Sequence, residues 1–557
     1  MNQIIEKIIE KRGLSSDFLN PKYLSDANVH EKLPDMKKAI SRIKKAISGK
    51  EKVMVYGDYD VDGVAATTVM VDALKLAGVS EVTTMLPDRF IDGYGMSQRC
   101  VERAVSEGVS LVITVDCGSN NSLVISELAE KGIDTVVTDH HEVMNDVPVD
   151  AVAVVNPKRT DISAAAQKKI RESGLIDLAG VGVAFMVARG LVLEGLIPDG
   201  QEKWMLDLVL IGTLCDSMTL SKLNRELTFY GVKVLEKTRR PGLKELMKVA
   251  KTTRISAEAI GFQIGPRLNA GGRMESAEIS LKLLMTDSKT EAIRLAEELN
   301  ELNTNRRNEQ LAAMKEIEER CTEELSRNVI VVSGEWHEGV LGIIAGRLVE
   351  RYHKPAFVLS KVSVQDVDGD GFSDVYKGSG RSFGEFNLAE AIKNCKNSVY
   401  GGGGHAAACG IKILPEKMSE FVSDVNDYYD SLKLTDQEKY LKVQAEFMTE
   451  YFEGFSEDLL DDMAKLEPFG NGNPEPIFEL EKVEAVEVRA VGKEGNHLRM
   501  IVMDPSGQRM TLVAFSASEE WLNTPVNSTI SVVIQVVRNE WNGRVSVEGR
   551  ILDLKSI

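Results

Sequence analysis

The sequence predicts an α/β protein in which a parallel-sheet domain is followed by a long helical connector and a C-terminal β-barrel. From residue 52 to 156, short apolar runs alternate with helical patterns, which is typical of parallel strands covered on both faces. Residues 287–328 contain neither Gly nor Pro and carry apolar side chains at helical spacing. From residue 477 onward, several short strand-like runs favour a small barrel.

Length and composition narrow the class of protein. A chain of 557 residues is too long for one ordinary core, so we expect roughly two to four domains. No uninterrupted apolar stretch is long enough to span a membrane, and the N-terminus, MNQIIEKIIEKRGLSS, lacks the apolar core of a secretion signal. The six cysteines are scattered, with no pair at CxxC spacing. We therefore expect a cytoplasmic protein with free thiols. We also expect a monomer.

Acidic and histidine side chains follow the ends of three predicted strands. They are Asp58, Asp60 and Asp62 after KVMVY, Asp116 after SLVIT, and Asp139, His140 and His141 after DTVVT. Parallel sheets bind ligands beyond the carboxyl ends of their strands, so these groups should meet at one sheet edge. Asp216, at the end of the apolar helical segment LVLIGTLC, is a further candidate. Each carboxylate alone is compatible with a helix cap, but together they indicate a site.

This acidic group predicts a pair of divalent metal ions. Several packed carboxylates repel one another and need a compensating charge to stay ionised. Oxygen ligands with one imidazole suit manganese or magnesium better than zinc. Two such ions can activate a water and stabilise the leaving oxygen of a phosphoryl ester. The sequence therefore predicts a two-metal phosphoesterase.

A basic segment lies inside this acidic chain. The net charge of -18 counts against a nucleic-acid partner, because binding to phosphate backbones needs Lys and Arg. From Lys222 to Arg273, however, twelve Lys or Arg stand against four Glu and no Asp. The segment predicts a focused phosphate-binding face, with a solvated helical surface as the alternative.

An ordered set of motifs resembles those of the DHH phosphoesterase superfamily. The motifs are GDYDVDG, VDCG, TDHHE and GTLCD. Further stretches resemble the RecJ family of single-strand-specific 5′-to-3′ exonucleases within that superfamily: GPRLNAGGRM, EWHEGVLGIIAGRL, GSGRS, GGGGHAAACG and PFGNGNPEPIF. The resemblance covers nearly the whole chain. It implies a DHH catalytic domain with an N-terminal extension (1–285), a helical connector (286–327), a smaller α/β DHH-associated substrate-binding domain (328–432) and an oligonucleotide-binding (OB) fold domain (433–557).

The resemblance also implies roles at the metal site. One metal would be held by Asp60 and Asp116, and the other by Asp62, Asp116, His140 and Asp216. His141 would face the scissile phosphate, so the implied catalytic residues are Asp116, His140 and His141. Many relatives have a histidine four residues before the first metal aspartate, where this chain has Tyr56. The first site is then weaker, unless Asp58 helps to fill it. The alternative role for Asp58 is that of a structural hydrogen-bond acceptor.

Substrate-binding residues follow from the same resemblance. Those implied are Arg89, Arg267, Asn269, Arg273, Ser379 and Arg381. An Arg fork binds phosphate bidentately, although each arginine alone is compatible with a surface ion pair. His405 follows four glycines and is either a substrate-backbone contact or a structural histidine in a turn. Trp541, at a predicted hairpin tip, is placed to stack a base, with protein docking or packing as the alternative for this barrel.

The function predicted is a two-metal exonuclease that degrades single-stranded DNA from the 5′ end to mononucleotides, in DNA repair and recombination. The connector would leave a channel between the domains that admits a single strand and excludes a duplex. One alternative is a DHH phosphoesterase acting on short oligonucleotides or dinucleotides. Another is a non-catalytic replication or repair scaffold. The partners implied are single-stranded DNA and a single-strand-binding protein or helicase, without a membrane.

Overall fold

The computed structural model describes residues 1–144, 146–365, 372–435, 444–492, 495–515, 517–541 and 544–556. Three sheets organise these residues: a parallel sheet, a mixed sheet and a closed barrel. The predicted fold class, a parallel-sheet domain followed by a helical connector, a smaller α/β domain and an OB-type barrel, is confirmed. Within the described ranges, no helix combines the length and apolarity needed to cross a bilayer.

The first sheet contains five parallel strands in the order β2-β1-β3-β4-β5. Their bounds are β1 (Lys52–Tyr56), β2 (Glu81–Met85), β3 (Leu111–Val115), β4 (Asp134–Thr138) and β5 (Ala153–Val155). Strands β1, β3, β4 and β5 are the four predicted apolar runs. Strand β3 pairs with both β1 and β4, so the carboxyl ends of these three strands meet at one sheet edge, as predicted. The unpredicted strand β2 (EVTTM) lies at the sheet edge and is mostly partly exposed, which explains its polar sequence.

Helices cover both faces of this sheet. The helices of residues 1–285 are α1 (Gln3–Arg12), α2 (Ser16–Leu19), α3 (Met36–Gly49), α4 (Val61–Leu76), α5 (Gln98–Ser106), α6 (Ser122–Glu130), α7 (Ala164–Ser173), α8 (Gly180–Leu193), α9 (Leu206–Cys215), α10 (Lys222–Leu235), α11 (Pro241–Val249), α12 (Ala257–Ala259), α13 (Gly265–Met274) and α14 (Glu278–Met285). Helices α4, α8 and α9 are almost wholly buried and pack on one another. An apolar sequence on every side marks such central helices.

The N-terminal helix α1 packs away from the parallel sheet. Its Ile4, Ile5 and Ile8 lie in the core of the C-terminal barrel, beside Phe452 and Leu459. The region predicted as the N-terminal extension of the DHH domain therefore begins with a helix whose apolar face is covered by the OB domain.

A single long helix connects the two α/β domains. Helix α15 (Lys289–Arg320) runs for 32 residues, about 48 Å at ~1.5 Å per residue, and α16 (Thr322–Ser326) follows it. The polar sequence NTNRRN lies within this continuous helix. Asn303 in this stretch is buried and accepts hydrogen bonds from Arg306 one turn later, which satisfies its polar side chain within the helix.

The smaller α/β domain contains a mixed sheet in the order β6-β7-β8-β10-β9. Its strands are β6 (Ile330–Gly334), β7 (Ala356–Gln365), β8 (Phe372–Arg381), β9 (Gly401–Gly404) and β10 (Ala408–Ile413), and its helices are α17 (Leu341–Tyr352), α18 (Leu388–Asn394) and α19 (Met418–Ser431). Trp336 is buried in this domain, and its Nε1 donates to Glu316 of α15 at 3.0 Å. The tryptophan thereby fixes the domain to the connector.

The C-terminal domain is a five-stranded barrel with one added strand. Its elements are β11 (Phe447–Thr449), α20 (Glu457–Met463), β12 (Ile477–Val491), β13 (His497–Met503), β14 (Arg509–Ala514), α21 (Glu519–Leu522), β15 (Thr529–Trp541) and β16 (Arg544–Ser556). Pairing of β12 with β15 closes the ring formed by β12, β13, β14, β16 and β15. Alternating buried and exposed residues along β13 and β14 fit the interior and exterior of a small barrel.

The barrel docks on the first domain through a polar joint. Arg225 of α10 is buried and donates to the backbone carbonyls of Lys465 and Glu467. Leu220 N–H donates to Asn471 O at 2.7 Å, across the same joint. Because buried polar groups need partners, these bonds hold the barrel in one position beside the first domain.

Candidate active site

Six metal-ligand candidates converge beyond the carboxyl ends of β1, β3 and β4, and together they are called the metal cluster. They are Asp58, Asp60, Asp62, Asp116, His140 and Asp216. His140 Nε2 lies 3.1 Å from Asp116 Oδ1, 3.6 Å from Asp216 Oδ2 and 3.9 Å from Asp62 Oδ2. The sheet order delivers the first five groups to one edge, and the end of α9 delivers the sixth.

The three aspartates of GDYDVDG have separate structural supports. Asp60 caps α4, accepting from Gly63 N–H at 3.0 Å. Asp62 lies in the first turn of α4 and accepts from the N–H groups of Gly180 and Val181 at 2.6 and 3.0 Å. Those amides belong to the start of α8, where the helix dipole favours a negative charge. The two carboxylates are therefore held in place before any ligand binds.

Two glycines allow the ligands to approach each other. Asp116 has a left-handed backbone conformation (φ 60°), which turns its side chain into the cleft. A Cβ at Gly180 would lie 2.5 Å from Asp116 Oδ1, and a Cβ at Gly212 would lie 2.6 Å from Asp62 Oδ1. Helices α8 and α9 can pack this close to the carboxylates only because both positions lack a side chain.

The double histidine is oriented by the aspartate before it. Asp139 is buried and accepts from Ser119 N–H at 2.9 Å and from His141 Nδ1 at 2.9 Å. Burial opposes ionisation of Asp139, but the hydrogen bond and the charge of His141 outweigh it and lower its pKa. Burial would also lower the pKa of His141, yet the Asp139 bond raises it to about 9. Asp139 was noted in the motif, but its orienting contact with His141 depends on the tertiary structure.

His140 has the opposite electrostatic environment. Burial, with the neighbouring His141, lowers its pKa to about 3, so its imidazole is neutral. The 3.1 Å approach of its Nε2 to Asp116 Oδ1 makes no hydrogen bond, since both atoms are buried without a hydrogen-bond partner. Two electron-pair donors in this arrangement suit the ligands of one cation.

Burial and mutual repulsion raise the pKa values of carboxylates in the metal cluster. Burial, with repulsion from Asp60, raises the pKa of Asp58 to about 8 and that of Asp216 to about 7. Burial, with repulsion from Asp216 on Asp62 and from Asp62 on Asp116, raises the pKa of these two carboxyls well above the usual range. Groups of ligand atoms within 4.8 Å of one another include Asp62, His140 and Asp216, and also Asp58, Asp60 and Asp116. This donor set of carboxylates and one neutral imidazole fits two hard divalent ions.

Tyr56 does not occupy the place of a missing ligand. Its ring is fully buried among apolar residues, and its hydroxyl donates to Gly95 O at 2.9 Å. Asp58 Oδ1, by contrast, is buried without a hydrogen-bond partner beside Asp60 and Asp116. The geometry therefore offers Asp58 to a cation, whereas the hydroxyl of Tyr56 is occupied by a backbone carbonyl.

Four arginines beside the metal cluster are called the arginine cluster: Arg89, Arg273, Arg306 and Arg381. Burial, followed by the charges of Arg89 and Arg306, lowers the pKa of Arg273, and Arg381 acts in the same direction. Arg89 stacks on Tyr59 at 4.1 Å, and its Nε is buried without a hydrogen-bond partner. Throughout the described ranges, no carboxylate pairs with any of the four.

The arginine cluster joins the two α/β domains. Arg273 Nη1 donates to Gly339 O at 3.2 Å, and a Cβ at Gly339 would meet Arg273 O at 1.8 Å. Ser379 Oγ accepts from Arg381 Nη1 at 2.8 Å, so these two predicted residues form one unit on β8. The structure thus brings Arg89, Arg273, Ser379 and Arg381 to one border of the cleft.

A channel of about 1640 Å³ leads to the metal cluster between the connector, both α/β domains and the barrel. Cys215 and Ser217, which flank Asp216, line its inner part, together with the predicted Arg267 and Asn269. Arg267 is anchored to Gln263 O and Asn300, whereas Asn269 Oδ1 is buried without a hydrogen-bond partner. Arginines that were not predicted as substrate-binding residues also line it: Arg306, Arg307, Arg347 and Arg351. For Arg306 and Arg307, the adjacent arginines in the sequence NTNRRN were the signal from which a phosphate contact could have been predicted.

The basic segment from Lys222 to Arg273 does not form one phosphate-binding face. Arg225 is bonded to carbonyls in the barrel joint, and Arg240 pairs with Asp72 at 2.6 Å beside the buried Asp207. Of its basic residues, Arg267 and Arg273 line the channel. A charge count along the chain could not separate structural arginines from those that reach the channel.

Two predicted substrate contacts lie elsewhere. His405 is exposed in the β9–β10 hairpin, and its Nδ1 accepts from Ala407 N–H at 3.2 Å, which fits the structural alternative for this residue. The side chain of Trp541 lies outside the described residues. The barrel instead presents Trp521 of α21 to the channel, which is also lined by Phe262, a residue that is 76% exposed.

Family models match three separate parts of the chain. The DHH family N-terminal domain matches residues 52–213, the DHHA1 domain matches 326–431 and the RecJ OB domain matches 450–553. They coincide with the parallel sheet and its helices, the mixed sheet and the barrel.

Several similar proteins align with nearly the whole of this chain. A single-stranded-DNA-specific exonuclease RecJ from Bacillus subtilis (strain 168) is 35% identical over 561 residues, which is 99% of this chain and 67% of that protein. Its counterpart from Escherichia coli (strain K12) is 30% identical over 98% of this chain and 94% of that protein. The crystal structure of RecJ from Thermus thermophilus in complex with Mn²⁺ superposes with a TM-score of 0.81 at 27% identity, covering 100% of this chain and 76% of that one. This chain therefore belongs to the RecJ family of the DHH superfamily.

Proposed function

We propose that this chain is a metal-dependent exonuclease that degrades single-stranded DNA from the 5′ end to mononucleotides. The observation that carries the proposal is the arginine-lined channel that leads to a buried metal cluster. The names of the relatives, single-stranded-DNA-specific exonucleases, support the same activity for this chain.

The metal cluster would hold two Mn²⁺ or Mg²⁺ ions. Asp60 and Asp116 would bind one, with Asp58 as a further ligand, and Asp62, Asp116, His140 and Asp216 would bind the other. Such ions lower the pKa of an attacking water and neutralise charge on the phosphodiester. The Mn²⁺ complex and a Mg²⁺ complex of the Thermus thermophilus protein support this choice of metals.

Other side chains would position the substrate. His141, kept protonated by Asp139, would face the scissile phosphate and is placed to neutralise its charge or give up a proton. Arg89, Arg273, Ser379 and Arg381 would bind the terminal phosphate, since arginine forks match phosphate oxygens. Arg273 lines the channel, and Arg89 and Arg381 lie within electrostatic reach of it, which supports recognition of a 5′ end.

Strand selectivity would come from the channel walls. The connector, both α/β domains and the barrel enclose the path, so a strand must enter without its complement. Phe262 and Trp521 would stack bases without reading their sequence, while Arg267, Arg306 and Arg307 track the backbone. Feeding the strand one phosphate at a time would release mononucleotides.

The cellular setting is proposed from the family. It is a role in DNA repair and recombination, as a cytoplasmic monomer working beside a single-strand-binding protein or helicase. The six free cysteines among the described residues support only the reducing compartment in this proposal. The alternative of a phosphoesterase that acts on dinucleotides does not explain the long channel, since so short a substrate would not fill it. The scaffold alternative leaves buried, mutually repelling carboxylates without a cation.

The test is a time course with Mn²⁺ on a 5′-labelled single strand, the same strand as a duplex, and a dinucleotide, run beside Asp116→Ala. We expect rapid release of labelled mononucleotide from the single strand alone and none with the variant. Cleavage of the dinucleotide alone would assign a small substrate, and inactivity on all three would leave the scaffold.

A further inference from the structure

A second cavity, here called the side cavity, opens on the first domain between the end of β2, helix α5 and the turn from α13 to α14. It measures about 730 Å³, and its lining includes Tyr59, Arg89, Glu102, Gly272, Glu278 and Lys282. It shares no lining residue with the channel, because α13 separates the two: Gly272 lines the side cavity and Arg273 lines the channel. Sites for small molecules measure roughly 300–1,000 Å³, so the volume suits such a ligand.

The inner wall of the side cavity is shared with the active site. Tyr59 lines the cavity, and its neighbours in the chain, Asp58 and Asp60, belong to the metal cluster. A Cβ at Gly272 would lie 2.5 Å from Tyr59 O, so the glycine allows α13 to pack directly on this loop. Arg89 covers the Tyr59 ring at 4.1 Å. The side cavity therefore meets the active site at the stacked pair of Tyr59 and Arg89.

Arg89 belongs to both the side cavity and the arginine cluster. It lines the cavity, and it interacts electrostatically with Asp58 of the metal cluster and with Arg273. Its Nε is buried without a hydrogen-bond partner, and its contact with the Tyr59 ring is a weak cation–π interaction. A phosphate can therefore draw the guanidinium away from the ring at small cost and stay bound to it while moving from the active site to the cavity.

The outer part of the side cavity offers partners for both ends of a nucleotide. Lys282 is exposed and, among the described residues, forms no ion pair, so it is available to phosphate. Glu278 is half-buried, and burial raises its pKa, while Glu102 lies exposed on α5. Carboxyl groups accept hydrogen bonds from the edge of a base or, when protonated, donate to it. The lining therefore suits a nucleoside monophosphate better than phosphate alone.

We propose that the side cavity receives the nucleoside 5′-monophosphate that the exonuclease releases and is its exit route. This inference rests on the proposed function. The strand under degradation fills the channel, so a product leaving that way would have to pass it. The product phosphate would instead move from the arginine cluster to Arg89 and then to Lys282, with the base beside Glu278. Four Lys or Arg and four Asp or Glu line the cavity, and this balance of charge keeps binding weak enough for release.

The test compares cleavage of the first nucleotide with cleavage of the second. The variants are Glu102→Trp, which fills the side cavity from α5, and Lys282→Glu, which reverses its unpaired cation. Glu130→Trp on α6 and Lys169→Glu on α7 are the matched controls, since both positions are exposed and lie outside the cavity. Excess enzyme and Mn²⁺ act on single strands labelled at the first or the second nucleotide, and labelled mononucleotide is counted after quenching. Separately, dTMP is titrated into the full chain in EDTA by saturation-transfer NMR, which detects weak complexes.

We expect the first nucleotide to appear at the wild-type rate in every protein, because cleavage precedes exit. The second should appear at least about tenfold more slowly in Glu102→Trp, and Lys282→Glu should weaken dTMP binding about tenfold, with both controls like wild type.

The exit route is overturned if the second nucleotide is not slowed in Glu102→Trp, or if the first is slowed as much as the second. It is also overturned if wild type does not bind dTMP, or if Lys282→Glu binds it as Lys169→Glu does. Absence of any first nucleotide with wild type would instead overturn the proposed function, so the two failures are distinguishable.

Discussion

The metal cluster and the arginine cluster are neighbouring groups of opposite charge. The first is made mainly of carboxylates and the second of guanidinium groups. The metal cluster comes from strand and helix ends of one domain and is mostly buried. The arginine cluster comes from a loop, α13, α15 and β8, and so from both α/β domains and the connector. Asp60 raises the pKa of Arg273, which places the two clusters within electrostatic reach.

Neither cluster neutralises the other through direct contact. Burial raises the pKa of Asp62 and Asp116, and burial lowers that of Arg273. Among the described residues, no ion pair joins a metal-cluster carboxylate to one of these arginines. In each cluster the charged forms are therefore stabilised by a ligand of opposite sign: cations for the carboxylates and phosphate for the arginines. Substitutions in one cluster should therefore have effects that differ from substitutions in the other.

The largest effect is expected from Asp116→Asn, which removes the carboxylate shared by both proposed metal positions. Loss of several kcal/mol of transition-state stabilisation should lower kcat/KM on a single strand at least about 1000-fold. The metal-free variant should also melt higher than wild type at neutral pH, since a buried repelling charge is gone. Asp161→Asn, at an exposed position, is the control. More than about a tenth of wild-type activity in the variant would contradict the assignment.

Arg273→Met should break the arginine cluster and leave the metal cluster intact. We expect kcat/KM to fall about 100-fold, because a phosphate contact in a dry site is lost. The preference for a 5′-phosphorylated over a 5′-hydroxyl strand should shrink in the same variant. Arg294→Met, on the exposed face of α15, is the matched control. An unchanged phosphate preference would remove Arg273 from terminal-phosphate binding.

The thermal stability gained on adding Mn²⁺ should depend on the metal cluster and not on the arginine cluster. At about 100 times its dissociation constant, a ligand of the folded state stabilises it by about 2.7 kcal/mol. Thermal melts with and without Mn²⁺ should show this rise for wild type and Arg273→Met, and little of it for Asp116→Asn. Equal rises in all three proteins would place the metal outside the metal cluster.

Asp139→Asn tests the support of the double histidine. Without the carboxylate, His141 loses the bond that orients it and keeps it charged, so we expect kcat to fall about 10- to 100-fold. KM should change less, because Arg89 and Arg273 still bind phosphate. Steady-state kinetics on a single strand measure both. A rise in KM without a fall in kcat would assign Asp139 to substrate binding.

The smallest effect concerns Glu475, a carboxylate at the barrel joint where no metal is proposed. Burial raises its pKa to about 7, above its ordinary value of about 4.5 in an unfolded chain. Between these values the folded protein keeps a proton that the unfolded chain loses, so the free energy of unfolding should fall as pH rises from about 4.5 to 7. Glu475→Gln should lessen this fall and stabilise the protein above pH 7 by about 1 kcal/mol. Identical pH profiles of the two proteins would contradict it.

Much of the metal cluster was predictable because its members follow strand ends. The apolar runs before Asp58 and Asp116 required buried strands, and the crevice rule placed both carboxylates at one edge before the strand order was known. The apolar helix that ends at Asp216 was equally readable, since no polar face interrupts it. The family resemblance predicted Arg89, Arg273 and Arg381 of the arginine cluster. It did not predict Arg306, because the side of α15 that faces the cluster depends on the tertiary structure.

The sequence by itself determined the fold class and the chemistry of the metal cluster, because hydrophobic period and strand-end position are local properties of the chain. Only the tertiary structure decided which charges are available. It buried Arg225 in the barrel joint, moved α1 into the barrel core and presented Trp521 to the channel. These outcomes depend on contacts between residues hundreds of positions apart, and the pattern around any one residue does not encode such contacts.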